Sequence, residues 1–135
     1  MPEPETIALA AAPEVTAPDG AAVRPLCLLP GLGSFAQFQL AAGEVSRAVR
    51  HLTVQEIWYV VSGRGQMWRQ HEGGTPAVTV LEPGVCLTIP LGTAFQFRAA
   101  AGAGPLRVIA VTMPPWPGGD EARPAAGPWE PALGR

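Results

Sequence analysis

The feature that most constrains this chain is its punctuation. Short runs rich in Val, Ile, Leu, Phe, Trp and Thr alternate with Gly and Pro from residue 22 to residue 112. The runs are 22–29, 35–40, 49–53, 57–62, 66–70, 77–81, 85–89, 94–98 and 106–112, and breakers such as Pro30-Gly31, Gly63, Gly73-Gly74, Pro83-Gly84 and Pro90 to Gly92 separate them. Glycine reaches positive φ without steric cost and proline cannot donate to a ladder, so each breaker ends a strand or makes a turn. No segment keeps a helical period beyond about two turns. The pattern predicts an all-β fold, an antiparallel sandwich or barrel.

With 135 residues and 47% hydrophobic content, the chain can build one core. Residues 1–20 are rich in Pro, Ala and Glu and read as an N-terminal arm, residues 21–113 as the folded domain, and residues 114–135 as a Pro/Gly-rich C-terminal tail. Trp116 within that tail suggests a segment lying across the domain or against a neighbouring subunit.

A net charge of −2 over 15% charged residues leaves no basic stripe for phosphates, so nucleic acid is not expected as a partner. No apolar run approaches the ~18 residues of a membrane span, and acids stand near Met1 where a secretory leader carries positive charge. The expectation is a cytoplasmic protein with no membrane partner. Cys27 and Cys86 lack CxxC spacing and read as small buried hydrophobes. The absence of lysine excludes Schiff-base chemistry. Gly31-Leu32-Gly33 and Gly63-Arg64-Gly65 lack the third glycine of a dinucleotide loop, and no serine stands in a nucleophile elbow.

Two glycine-framed segments carry a more specific signal. The first runs Gly43, five residues, Val49, Arg50, His51, four residues, Glu56, six residues, Gly63. The second runs Gly84, five residues, Pro90, Leu91, Gly92, two residues, Phe95, three residues, Ala99. These frames resemble the two motifs of the cupin superfamily, which implies a single jelly-roll antiparallel β-barrel with the faces bearing Val49, His51, Phe95 and Phe97 turned inward. The resemblance also implies a homodimer.

In metal-bearing members, two histidines and a glutamate of the first motif and a histidine of the second hold a divalent ion. The matching positions here are Val49, His51, Glu56 and Phe95. With two histidines in the whole chain, the second being His71 beside a turn, a three-histidine site cannot be assembled within one subunit. Any divalent metal ion would rest on His51 and Glu56 and be held weakly, so the site is expected to be degenerate.

The same pair is the candidate catalytic pair, with a hydrogen bond between His51 and Glu56 keeping the buried carboxyl tolerable. Val49, Trp58, Phe95 and Phe97 are the candidate ligand pocket. Phe95 in place of a histidine favours an apolar or aromatic small molecule. Tyr59 alternates to the opposite face from Glu56 and is expected to point outward. The resulting expectation is a small-molecule-binding protein. The alternative is a cupin enzyme, either a metal-dependent oxygenase or isomerase with atypical ligands or a metal-free isomerase or epimerase working through His51 and Glu56.

Overall fold

The motif glycines Gly43, Gly63, Gly84 and Gly92 all adopt positive φ, so the frame seen in the sequence is a set of backbone turns. Gly63 is further constrained by contact, because a Cβ there would collide with the Pro105 carbonyl oxygen. The computed structural model describes residues 3–134, which leaves the first two positions of the expected arm and the last of the expected tail outside the described residues.

The strands are β1 (Val15–Thr16), β2 (Ala22–Leu29), β3 (Gly33–Leu40), β4 (Val49–His51), β5 (Gln55–Ser62), β6 (Gly65–Gln70), β7 (Ala77–Leu81), β8 (Cys86–Ile89), β9 (Ala94–Ala99), β10 (Leu106–Met113) and β11 (Ala122–Pro124). The observed pairs are antiparallel and form a six-stranded sheet, β1-β2-β3-β10-β5-β8, and a five-stranded sheet, β11-β4-β9-β6-β7. This is a jelly roll, as expected, with one correction: among the described residues no strand pair joins the two sheets, so they face each other without closing into a barrel.

Alternation assigns the inner faces. On β5, Glu56, Trp58 and Val60 are buried while Ile57, Tyr59 and Val61 are exposed, as a period of two requires. Tyr59 points outward, 46% exposed. On β8, Leu87 and Ile89 take the inner positions, which places Cys86 on the exposed face and corrects its expected burial. Strand β4 stops at His51, so Thr53 does not continue its inward face and is exposed. The core between the sheets holds Trp58, Phe95, Phe97, Leu40, Met67 and Leu81.

Strand β9 departs from simple alternation because Phe95, Gln96 and Phe97 are all buried. Its second face is covered by the C-terminal segment. Trp129 donates its N–H to Gln96 Oε1, and Gln96 Nε2 returns a bond to the Trp129 carbonyl at 2.8 Å. Arg98 lies 4.0 Å over the Trp129 ring, Val45 bridges Ala132, and β11 pairs with β4. At the other terminus β1 pairs with β2. Among the described residues, no helix is long and apolar enough to cross a membrane.

Candidate functional site

Val49 on β4 pairs directly with Phe95 on β9, so two apolar side chains stand together where the motif frame places metal ligands. His51 follows two residues along β4 on the same face, and Glu56 faces it from β5. The intervening turn, residues 52–54, carries the chain from one sheet to the other and brings both groups to one end of the core.

A cavity of about 230 Å³ opens there. Its walls include Phe35, Phe38, Trp58, Phe95 and Trp116, and its polar lining includes Asp19, His51, Glu56 and Thr112. Phe38 stacks on Trp58 with centroids 5.6 Å apart, and Phe95 meets Trp58 edge-on at 6.0 Å. Val49, Trp58 and Phe95 thus line the space. Phe97 does not: it sits behind Trp58, 4.9 Å away and fully buried, because β9 runs deeper into the core beyond Phe95.

The polar groups are strongly desolvated. Glu56 is 3% exposed and His51 7%. The hydrogen-bond partner of Glu56 differs from the expected one, since Trp58 Nε1 donates to Glu56 Oε1 at 2.5 Å. His51 Nδ1 lies 3.3 Å from Glu56 Oε2, but the alignment does not make a hydrogen bond and Nδ1 is left buried without one. The i, i+2 spacing explains the Trp58 bond, because Glu56 and Trp58 share one face of β5.

Burial pushes the Glu56 carboxyl up to about 7 against the Trp58 hydrogen bond, with the negative charges of Asp19 and Glu121 adding to the rise. Burial pushes His51 down to about 4, although Glu121 pulls the other way. Burial thus disfavours charge on both: near pH 7 His51 is an uncharged imidazole, while Glu56 is close to half-protonated. Asp19, 5% exposed, is pushed up to about 6 by burial against a hydrogen bond from the Ala21 N–H and the charge of Arg47.

Glu121 behaves in the opposite way. Burial raises its pKa, but Thr53 Oγ1, the Thr53 N–H and the Val54 N–H all donate to its carboxylate at 2.7–2.9 Å. Together with His51 they outweigh burial and hold it below the usual carboxylate range.

Asp19, Trp116 and Glu121 complete a site that the central motifs only half describe. Asp19 had a usable signal, since Pro18-Asp19-Gly20 is turn chemistry and its Oδ1 accepts the Ala21 N–H at 3.0 Å. Trp116 reaches His51 at 5.1 Å between centroids, and its N–H donates to Ser34 Oγ. Glu121 had no local signal because its partners are 67 and 68 residues away in the chain.

A divalent metal does not fit these side chains. One imidazole and one carboxyl stand at the four motif positions, Glu56 Oε1 already accepts from Trp58, and the Phe95 ring lies 5.2 Å from that of His51. No group of three or more His, Cys, Asp or Glu among the described residues is arranged to hold an ion.

The cupin domain family matches residues 36–112, the span containing both glycine frames. No curated protein matches the sequence. Among solved structures, the chain is similar to KdgF from Halomonas sp., with 17% identity, a TM-score of 0.67, and coverage of 82% of this chain and 94% of that one. It is similar to the capsular polysaccharide assembling protein CapF from Staphylococcus aureus at 15% identity and a TM-score of 0.64, covering 75% of this chain and 30% of CapF. A deletion mutant of Bacillus subtilis oxalate decarboxylase aligns at 14% identity and a TM-score of 0.67, covering 78% of this chain and 28% of that one. The chain therefore matches less than a third of the length of the last two, and these likenesses carry the fold alone.

Proposed function

This chain belongs to the cupin domain family, and from that premise we propose that it binds a small apolar or aromatic molecule between its sheets without a tightly held metal. The carrying observation is the cavity of about 230 Å³ walled by aromatic rings around His51 and Glu56. That volume lies above the ~150 Å³ of an apolar cavity that accepts benzene and below the ~300 Å³ where drug-sized pockets begin. A single ring with a small substituent suits it. A ligand of about ten heavy atoms would bind with a Kd of roughly micromolar to millimolar order.

The test is a titration of the protein with single-ring compounds, indole and substituted benzenes, followed by tryptophan fluorescence and by Tm. Saturable quenching that is lost in Trp58→Phe or Phe95→Ala supports the reading. Absence of saturable binding across the set overturns it. Incubation with iron, manganese, nickel or zinc followed by desalting and metal analysis tests the second half, and a stoichiometric retained ion would overturn that half.

One observation favours a second reading, metal-free proton transfer. Glu56, with its pKa near 7, faces an uncharged His51 nitrogen at 3.3 Å, a donor and an acceptor ready at the edge of a cavity. In that reading Glu56 delivers the proton and His51 receives one. If turnover of any substrate survived both Glu56→Gln and His51→Ala unchanged, the relay would be lost.

A further inference from the structure

The cavity combines three properties that are unusual together. Its wall is aromatic, its ionisable lining includes the carboxyls Asp19 and Glu56, and among the described residues neither lysine nor arginine lines it. Asp19, 5% exposed, and Glu56, 3% exposed, both line this space, while Glu121 adds a negative charge felt by Glu56 and His51. Arg47, the cation that acts on Asp19, is itself exposed and outside the cavity lining. An independent mark of an incomplete site is His51 Nδ1, a buried polar atom on the cavity-lining ring with no hydrogen-bond partner.

Aromatic faces attract cations through their quadrupole, most strongly where water is excluded. Trp58 and Phe95 meet at 77°, so they form adjoining walls of a box and not a flat stack. Trp116 closes the space against His51. An anionic ligand would instead enter a low-dielectric space facing carboxyl groups with no cation to meet it.

We infer that the cavity selects an organic cation, an alkyl- or aryl-substituted ammonium, with Trp58, Phe95 and Trp116 around the charged head and Asp19 and Glu56 supplying the countercharge. This rests on the ligand-binding reading above and sharpens it to a ligand class.

The experiment compares three probes of similar size on the full chain by calorimetry: phenyltrimethylammonium, its neutral isostere tert-butylbenzene, and benzoate. The expected order is ammonium first, with affinity at least about tenfold above the isostere, and benzoate weakest. Glu56→Gln and Asp19→Asn, checked for native circular dichroism, are expected to remove that preference while leaving tert-butylbenzene binding in place. Equal or tighter binding of tert-butylbenzene or benzoate overturns the cation inference and leaves the ligand-binding reading standing. A preference that survives both substitutions overturns the assignment of Asp19 and Glu56. Failure of all three probes overturns the inference and counts against the cavity as a ligand site.

Discussion

Two buried glutamates flank His51, and the protein moves their pKa values in opposite directions. Glu56, on the cavity side, accepts one hydrogen bond, from Trp58, and is otherwise surrounded by rings. Glu121, on the side of the 52–54 turn, accepts three. Both side chains are nearly closed to solvent, 3% and 5% exposed, but Glu56 lies deep among the core rings and Glu121 in a turn whose neighbours Leu52, Thr53 and Asp120 are exposed. Depth and donor number act together, because desolvation weighs most on Glu56 and only Glu121 receives enough N–H and O–H groups to overcome it. The lesson is that the turn uses a carboxylate as structural glue, whereas the cavity side holds Glu56 with one donor and a pKa near neutrality.

The largest effect should come from emptying the cavity side. Trp58→Ala removes a fully buried ring that contacts Phe38, Phe95 and Phe97 and strips Glu56 of its donor. A loss of about 3–5 kcal/mol in unfolding free energy is expected by urea titration. A loss below about 1 kcal/mol would mean that the rings do not pack as described.

Next in size is the turn side. Glu121→Ala leaves the Thr53 and Val54 N–H groups without their acceptor and should cost about 2–3 kcal/mol by the same measurement. Glu56→Gln keeps shape and most of the Trp58 bond and should cost far less at pH 7. If the two substitutions were equally damaging, the contrast between glue and free carboxyl would be broken.

The pH dependence sharpens the comparison. The unfolded Glu56 carboxyl titrates near 4.5 and the folded one near 7, so between those values the folded state holds the extra proton. Its contribution is fully present below pH 4.5 and lost as pH rises through 7, an effect of about 3 kcal/mol. Asp19 acts in the same direction between 3.8 and 6. His51 acts in the opposite one, its contribution being present above 6.5 and lost as pH falls through 4. Unfolding free energy should therefore decline from pH 5 to pH 8, and Glu56→Gln should flatten the decline between 6 and 8. Glu121, with its pKa lowered, should contribute only to loss of stability in acid. An undiminished decline in Glu56→Gln would show that another group controls it.

The smallest effect provides the baseline. Glu82 pairs with Arg64 at 3.2 Å with both side chains well exposed, and Arg64→Ala should cost less than about 0.5 kcal/mol. A solvated glutamate thus anchors the scale against which the two buried ones are read.

Much of this molecule is legible without coordinates because its signals are local. The Gly43, Gly63, Gly84 and Gly92 turns, the strands between them and the outward position of Tyr59 follow from φ preference and a period of two. The presence of Val49 and Phe95 within the two frames is likewise a fact of the sequence, whereas their direct pairing across β4 and β9 is a fact of the structure. Cys86 shows the limit, since strand alternation put it outside and not inside.

What only the tertiary structure decided lies in contacts between distant segments. Trp58 and not His51 satisfies Glu56, because a hydrogen bond depends on angles that residue spacing does not specify. Asp19 from the N-terminal arm and Trp116 from the tail complete the cavity, and Glu121 secures the turn across 67 and 68 residues of chain. Composition alone reads those terminal segments as an arm and a tail. Sequence thus determined the frame and the residues standing in it, while packing determined which way each carboxyl's pKa moves, because charge at a buried site depends on its depth and on the donors that the rest of the chain brings to it.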